Sequence, residues 1–282
     1  MNYSLDGSYW LAGFGLFFIA LFLRFCFRYC WWAPAVDYDQ PRILMYHMVS
    51  AHKKGAKFNG LRVTPQAFEK QLSWLKENNW QFFTMNELLT LGDKLPRKSV
   101  ALTFDDGFED NYHHALPLMK KYGAKGTLYL VVDRHQRDWS SKKKAHHNSG
   151  ELMREPKLSD AQVAEMLASG LFELGAHTMT HANLGQLSSD EKKLEIETSK
   201  NALEQQFSTE VSSFAYPFGI YAQQDVALAD KAGFKSAVTT EAGISRTIAG
   251  QPLELKRVKV SGKDNFLAFR LRMKRGRRGT LK

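Results

Sequence analysis

The chain has 282 residues, 44% of them apolar, enough for one large domain with attachments and too apolar to read as disordered. Lys and Arg outnumber Asp and Glu, 39 to 29. That excess calls for an anionic partner, but no nucleic-acid module, zinc-finger spacing or RNA-binding aromatic signature is present, so a membrane or an acidic glycolipid is expected and nucleic acid is not.

Trp10–Leu23 is unbroken apolar sequence. It continues through Phe25, Cys26, Phe27, Tyr29, Cys30, Trp31 and Trp32, interrupted only by Arg24 and Arg28. Residues 8–32 are expected to form one membrane-anchoring helix, with the Arg- and Trp-rich end at the lipid surface. A cleaved signal is the rival, since Ala33-Pro34-Ala35 loosely imitates a cleavage site. However, no Lys or Arg precedes the apolar run, and a signal needs positive charge there. The two cysteines, Cys26 and Cys30, are one helical turn apart in this segment. They cannot staple a domain elsewhere and read as small apolar filler. Arg24, Arg28, Arg42, Lys53, Lys54 and Lys57 follow the span, so the positive-inside rule places the rest of the chain in the cytoplasm.

Arg42–Tyr46 reads as a buried strand ending at His47. Thr64 caps a helix with Pro65 in its first position, and Phe68, Leu72 and Leu75 share one face as far as about Asn78. Ser99–Phe104 is a second buried strand, ending in Asp105-Asp106-Gly107. A helix over Tyr112–Tyr122 and a strand over Gly126–Val132 follow. Residues 134–157 are polar and basic, with Lys142-Lys143-Lys144, and read as a long loop of the kind that is often functional. Ser159 caps a helix that ends at Gly170, and a strand from Leu171 to Ala176 ends at His177. A helix spans about 188–206, strand Ser213–Tyr216 ends at Pro217-Phe218-Gly219, and one more helix and strand reach Val238. The basic run Lys274–Lys282 reads as a tail. The expected division is an anchor over 1–33, one α/β domain over 34–265, and a basic tail over 266–282. Strands alternating with helices imply parallel βαβ units, and the chemically interesting residues fall at strand C-terminal ends, where a β/α barrel places its site.

Two sets of residues carry that chemistry. Asp105 and Asp106 are adjacent at a strand end before a Gly, so their side chains diverge and can hold different roles. His177 and His181 stand four apart, which turns both imidazoles the same way and suits a divalent metal. Two His and one Asp leave coordination positions open for water and substrate and suit Zn²⁺ or another first-row metal. His52, His113, His114, His135, His146 and His147 lie in polar stretches and read as solvated.

These residues resemble the polysaccharide deacetylases, also called the NodB-homology or carbohydrate-esterase-4 group. The likeness rests on Leu102-Thr103-Phe104-Asp105-Asp106-Gly107, His177-Thr178-Met179-Thr180-His181 with Asn183-Leu184, and Phe214-Ala215-Tyr216-Pro217-Phe218-Gly219. These motifs occur in the family's order over roughly residues 42–260. The resemblance implies a distorted (β/α) barrel of about seven parallel strands, here preceded by one transmembrane helix. It also implies a metal-dependent N-deacetylase, with Asp106, His177 and His181 on the metal, Asp105 as general base and the Phe218 N–H as oxyanion donor. One such donor is worth about 3 kcal/mol of barrier.

The chain departs from the commonest family pattern twice. Ala215 stands where the third motif usually has Arg, and no histidine follows Gly219, although an amine leaving group needs an acid. A subfamily resembling the poly-N-acetylglucosamine deacetylases draws that acid from an early Met-Tyr-His segment. Leu44-Met45-Tyr46-His47 matches it, which makes His47 the acid; Arg257 is assigned to orient Asp105. The expected metal is Zn²⁺, with Co²⁺ or Ni²⁺ as alternatives, and the expected partners are an N-acetylated glycan or glycolipid and membrane lipid. A cytoplasmic-face domain on the bacterial inner membrane suits a lipid-linked glycan such as lipopolysaccharide core, with loop 134–157 shaping the sugar site. A periplasmic domain suits an exported polymer such as poly-N-acetylglucosamine. A catalytically silent glycan binder and a deformylase on a lipid-linked amino sugar are the competing functions.

Overall fold

Helix α1, Gly7–Tyr29, opens the computed structural model, which describes residues 7–138 and 150–279. The helix runs unbroken through Arg24 and Arg28. Its stretch Trp10–Tyr29, 20 residues, is long and apolar enough to cross a membrane, and none of it is buried in the protein. Leu11, Phe14 and Phe18 are among the apolar side chains it leaves exposed.

The strands are β1 (Arg42–Tyr46), β2 (Met48–Val49), β3 (Arg62–Val63), β4 (Gln81–Phe83), β5 (Ser99–Asp105), β6 (Gly126–Leu130), β7 (Phe172–Ala176), β8 (Ser213–Ala215), β9 (Ser236–Ala242) and β10 (Leu255–Lys259). The helices after α1 are α2 (Pro65–Glu77), α3 (Met85–Leu91), α4 (Leu116–Tyr122), α5 (Asp160–Ala168), α6 (Ser189–Lys193), α7 (Ser199–Phe207), α8 (Gln223–Lys231) and α9 (Phe266–Arg275). Seven parallel strands close into a barrel in the order β1-β10-β9-β8-β7-β6-β5, with β5 returning to β1. β4 lies outside the ring and shares one edge of β5 with β6. It takes Ser99–Ala101, and β6 takes Leu102–Asp105.

Side chains alternate along a strand, and that alternation places the site. Leu102 and Phe104 turn outward into the main core, where Phe104 meets Tyr46, Phe68 and Phe172. Ala101, Thr103 and Asp105 turn inward. Ala101 packs inside with Ile43, Tyr129, Ala215, Val238 and Leu255, and Met85 and Leu88 of α3 join this cluster at the end away from Asp105. The caps form where the sequence signals them: Thr64 accepts the Ala67 N–H, and Ser159 and Gln162 form a capping box.

Three parts of the chain differ from expectation. Residues 266–275, assigned to a basic tail, form α9 and bury Ala268, Phe269, Leu271 and Met273. Phe266, Phe269 and Met273 recur at helical spacing, and the first two rings pack edge-on against Trp74. Thr280–Lys282 lie outside the described residues. The long polar stretch is in part an ordered packing segment. Glu155 and Glu151 accept from the buried Arg62 guanidinium, and Lys157 donates to the carbonyls of Leu152 and Glu155. Lys142, Lys143, Lys144, His146 and His147 lie outside the described residues. Finally, β2, β3, β4, α3 and β10 form where no element was expected.

The linker enters at the start of β1. The buried Arg42 guanidinium donates to the carbonyls of Val36, Asp37, Gln40 and Met273, tying linker and α9 to the barrel end opposite Asp105. The cationic end of α9 also meets the end of α1, with Lys274 Nζ on Trp31 O and Arg275 on Cys30 O.

Candidate active site

Strand β5 delivers both carboxylates. Asp105 ends the strand and points inward; Asp106 has φ 78° and turns the other way. Gly107 follows at φ 72°, and a Cβ there would lie 2.4 Å from Leu130 Cδ1, so any other residue would strain the turn and displace Leu130. Both carboxylates are buried, 2% and 3% exposed, but their partners differ.

Asp105 faces Arg257 of β10. The guanidinium makes two parallel hydrogen bonds to it, 2.6 Å to Oδ1 and 2.7 Å to Oδ2. Arg257 is held in turn by Thr239 O and Thr103 Oγ1. Burial alone would raise the Asp105 carboxyl; the charge and hydrogen bonds of Arg257 override it and hold the group below the ordinary carboxylate range. Position 215, where the usual motif would place Arg, is a buried Ala, and the guanidinium comes from another strand.

Asp106 faces the histidines. His177 Nε2 and His181 Nε2 each lie 3.3 Å from its Oδ1, and the three potential ligand atoms fall within 4.8 Å of one another. That Oδ1 is buried without a hydrogen bond of its own. Burial would raise this carboxyl too, and His181 and His177 hold it well below its ordinary value. His177 Nδ1 sits 2.7 Å from the carbonyl of Ala215. A proton on Nδ1 satisfies that carbonyl and leaves the Nε2 lone pair facing Asp106, as in metal-ligating histidines. Burial pushes the His181 imidazole down, toward the neutral form that can ligate. A carboxylate oxygen left without a hydrogen bond and flanked by two imidazole nitrogens at 3.3 Å fits a divalent ion.

His47 lies between β1 and β2 on the same rim. Its Nε2 is 3.9 Å from Asp105 Oδ2 and its side chain is 17% exposed. Burial lowers its imidazole by more than the carboxylates of Asp106 and Asp105 raise it. Asn111 Nδ2 donates to the His47 carbonyl at 2.9 Å, and Asp110 accepts the Val49 N–H. Sequence reasoning missed this support; an Asn four residues beyond Gly107 gives no local sign of it.

The Pro217-Phe218-Gly219 turn closes the rim. Phe218 has φ 58° and its ring stands edge-on to His181, centroids 4.5 Å apart. A Cβ at Gly219 would lie 1.9 Å from Thr240 Oγ1, which makes glycine obligatory there. Beside His181 and Phe218 opens a cavity lined also by Thr180, Asn183, Arg137 and Asp138.

The seven site residues read from the sequence are thus brought together, six at one rim and Arg257 reaching Asp105 from inside the barrel. Among the described residues, the other histidines do not join them. His114 Nδ1 contacts Val49 O and His52 Nε2 contacts Arg62 O, so these two pin backbone and are not merely solvated.

A sequence profile described as polysaccharide deacetylase matches residues 92–237. The protein named "Putative polysaccharide deacetylase YxkH" of Bacillus subtilis (strain 168) is 33% identical over 230 residues, 80% of this chain and 74% of its own length. A poly-beta-1,6-N-acetyl-D-glucosamine N-deacetylase of Staphylococcus aureus (strain MRSA252) is 27% identical over 64% of this chain and 61% of its own length. Among solved structures, the deacetylase PplD of Streptococcus pyogenes, in complex with acetate, superposes with TM-score 0.67 at 28% identity, over 82% of this chain and 95% of its own. IcaB from Ammonifex degensii gives TM-score 0.64 at 25% identity, over 79% and 91%.

Proposed function

The chain belongs to the polysaccharide deacetylase family, and from that premise we propose that it is a membrane-anchored, metal-assisted N-deacetylase. Its substrate would be an N-acetylhexosamine residue of the GlcNAc type in a bacterial envelope glycan. The observation that carries this reading is the division of labour at Asp105 and Asp106: one carboxylate is locked to a guanidinium, the other is aimed between two imidazoles.

Asp106, His177 and His181 would hold a divalent ion, Zn²⁺ first with Co²⁺ or Ni²⁺ as alternatives. Bound there, it would supply Lewis acidity to the acetyl carbonyl and acidify the attacking water. Asp105, kept ionised by Arg257, takes a proton from that water. The Phe218 N–H is the donor assigned to the developing oxyanion. His47 gives a proton to the departing sugar amine, so that acetate and a free amino sugar result. Because burial keeps His47 neutral at rest, it must be recharged in each turnover, from solvent at its exposed edge or from Asp105 3.9 Å away.

Two substrate settings have support. The names of the staphylococcal relatives favour a poly-β-1,6-linked GlcNAc polymer. The charge that follows α1 favours a cytoplasmic-face enzyme on the inner membrane and hence a lipid-linked glycan, lipopolysaccharide core included. A deformylase would use the same residues.

The test is acid release by the full chain in detergent from β-1,6-linked GlcNAc oligomers and from lipid-linked amino-sugar glycans, with acetate and formate measured separately. Acetate release that Asp105→Asn lowers by several orders of magnitude supports the reading. Formate alone would replace it with the deformylase. Neither acid, from metal-loaded folded protein, would favour a silent binder.

A further inference from the structure

The loop joining the two histidines is in a conformation it would not keep alone. Thr178 at φ 67° and His181 at φ 55° both occupy the left-handed region, which non-glycine residues hold only when their surroundings enforce it. Val132 N–H on Thr178 O and Asp133 N–H on Met179 O hold one side of the loop, and the contacts to its own donors converge on one residue, Glu195. Its Oε2 accepts the Thr180 N–H at 2.9 Å and its Oε1 accepts the Thr180 hydroxyl at 2.6 Å. Its main-chain carbonyl accepts the Met179 N–H at 3.2 Å. Three donors from two consecutive residues, both between His177 and His181, are thus satisfied from a single position.

Glu195 is where it is because its helix is irregular. Between α6 and α7 the helix widens into a π-type turn over Leu194–Thr198, a feature that is rare and often found at functional sites. The turn leaves Leu194 62% exposed while Ile196 is buried and Glu195 faces the rim. Exposing a leucine is unfavourable, and the contacts made by Glu195 are what this turn obtains in exchange. Glu195 also lines the cavity beside His181 and Phe218.

We propose that Glu195 is a positioning residue for the candidate metal centre. Its carboxylate clamps Thr180, which fixes the backbone of His181 and sets that imidazole opposite Asp106. This rests on the metal reading given above. The clamp works through hydrogen bonds and not through charge. A glutamine can keep both contacts, accepting the Thr180 N–H with its carbonyl and donating to the hydroxyl with its amide; alanine keeps neither.

The test compares the full chain in detergent with Glu195→Ala and Glu195→Gln. Co²⁺ dissociation constants are measured by titration, and amide hydrogen exchange across residues 177–183 is measured on metal-free protein. Glu195→Ala should bind Co²⁺ at least about tenfold more weakly. Its exchange should accelerate in that segment alone, and its melting temperature should stay near that of the wild type. Glu195→Gln should stay near the wild type in every measurement. Unchanged affinity in Glu195→Ala would overturn the proposal. So would a glutamine variant as weak as the alanine one, or exchange accelerated throughout the barrel. If the wild type takes up no Co²⁺, the metal reading fails, and the exchange arm still decides the clamp: unchanged rates at 177–183 in Glu195→Ala would sink it.

Discussion

Arg257 and Asp105 meet inside the barrel through two parallel hydrogen bonds of 2.6 Å and 2.7 Å, although β10 and β5 are not neighbours and β1 lies between them. Arg257→Met removes the guanidinium, the main opponent of burial, and leaves only the smaller effects of His47 and His177, so the Asp105 carboxyl should rise. If Asp105 is the base, it must be ionised to work. The acidic limb of the kcat/KM profile should therefore move to higher pH, with activity partly recovered on the alkaline side and a loss of at least about tenfold at neutral pH. Arg257→Lys should repair little, because an ammonium cannot reproduce the two-pronged contact. Metal affinity should be unchanged. A profile that keeps its wild-type acidic limb in Arg257→Met would remove Arg257 from the mechanism.

His47→Ala separates acid catalysis from the rest. An activated acetate ester has a leaving group that departs without protonation, whereas a sugar amine cannot. Turnover on the amide should fall about 10²-fold or more, turnover on the ester much less, and metal binding not at all. Equal losses on both substrates would make His47 structural.

A fusion after Lys282 reports orientation. Arg24 and Arg28 lie in the last turns of α1, and Lys274 and Arg275 reach the backbone of Trp31 and Cys30 just beyond its end, which the anchor reading puts at the lipid surface. Basic groups at that level favour an anionic inner leaflet by about 1 kcal/mol each. Green fluorescent protein there should fluoresce and alkaline phosphatase should be inactive. The opposite pair of results places the barrel outside and favours an exported polymer as substrate.

How far the sequence carried depended on how local each signal was. Asp105, Asp106, His177 and His181 sit in short motifs at strand ends, and βαβ alternation alone put them on one rim. The Asp105 partner was harder, because Arg257 is 152 positions away and no local pattern marks it. Glu195 and Asn111 are no better marked. Their contacts to Thr180 and His47 are tertiary, and an acid on a helix or an Asn after a turn looks like any solvated residue. α9 reads as a tail from its sequence because its cations mask the helical spacing of Phe266, Phe269 and Met273. β4 is three residues long, too short for periodicity to mark it.

Deacetylation should depend on an ion held by Asp106, His177 and His181. The most direct test is acetate release from GlcNAc oligomers by the full chain, before chelation, after removal of metal verified by elemental analysis, and after adding back Zn²⁺ or Co²⁺. Turnover should be lost in the stripped protein and return on reloading, with His177→Ala and His181→Ala failing to reload at the same metal concentration. Full turnover by protein shown to be metal-free would contradict that dependence.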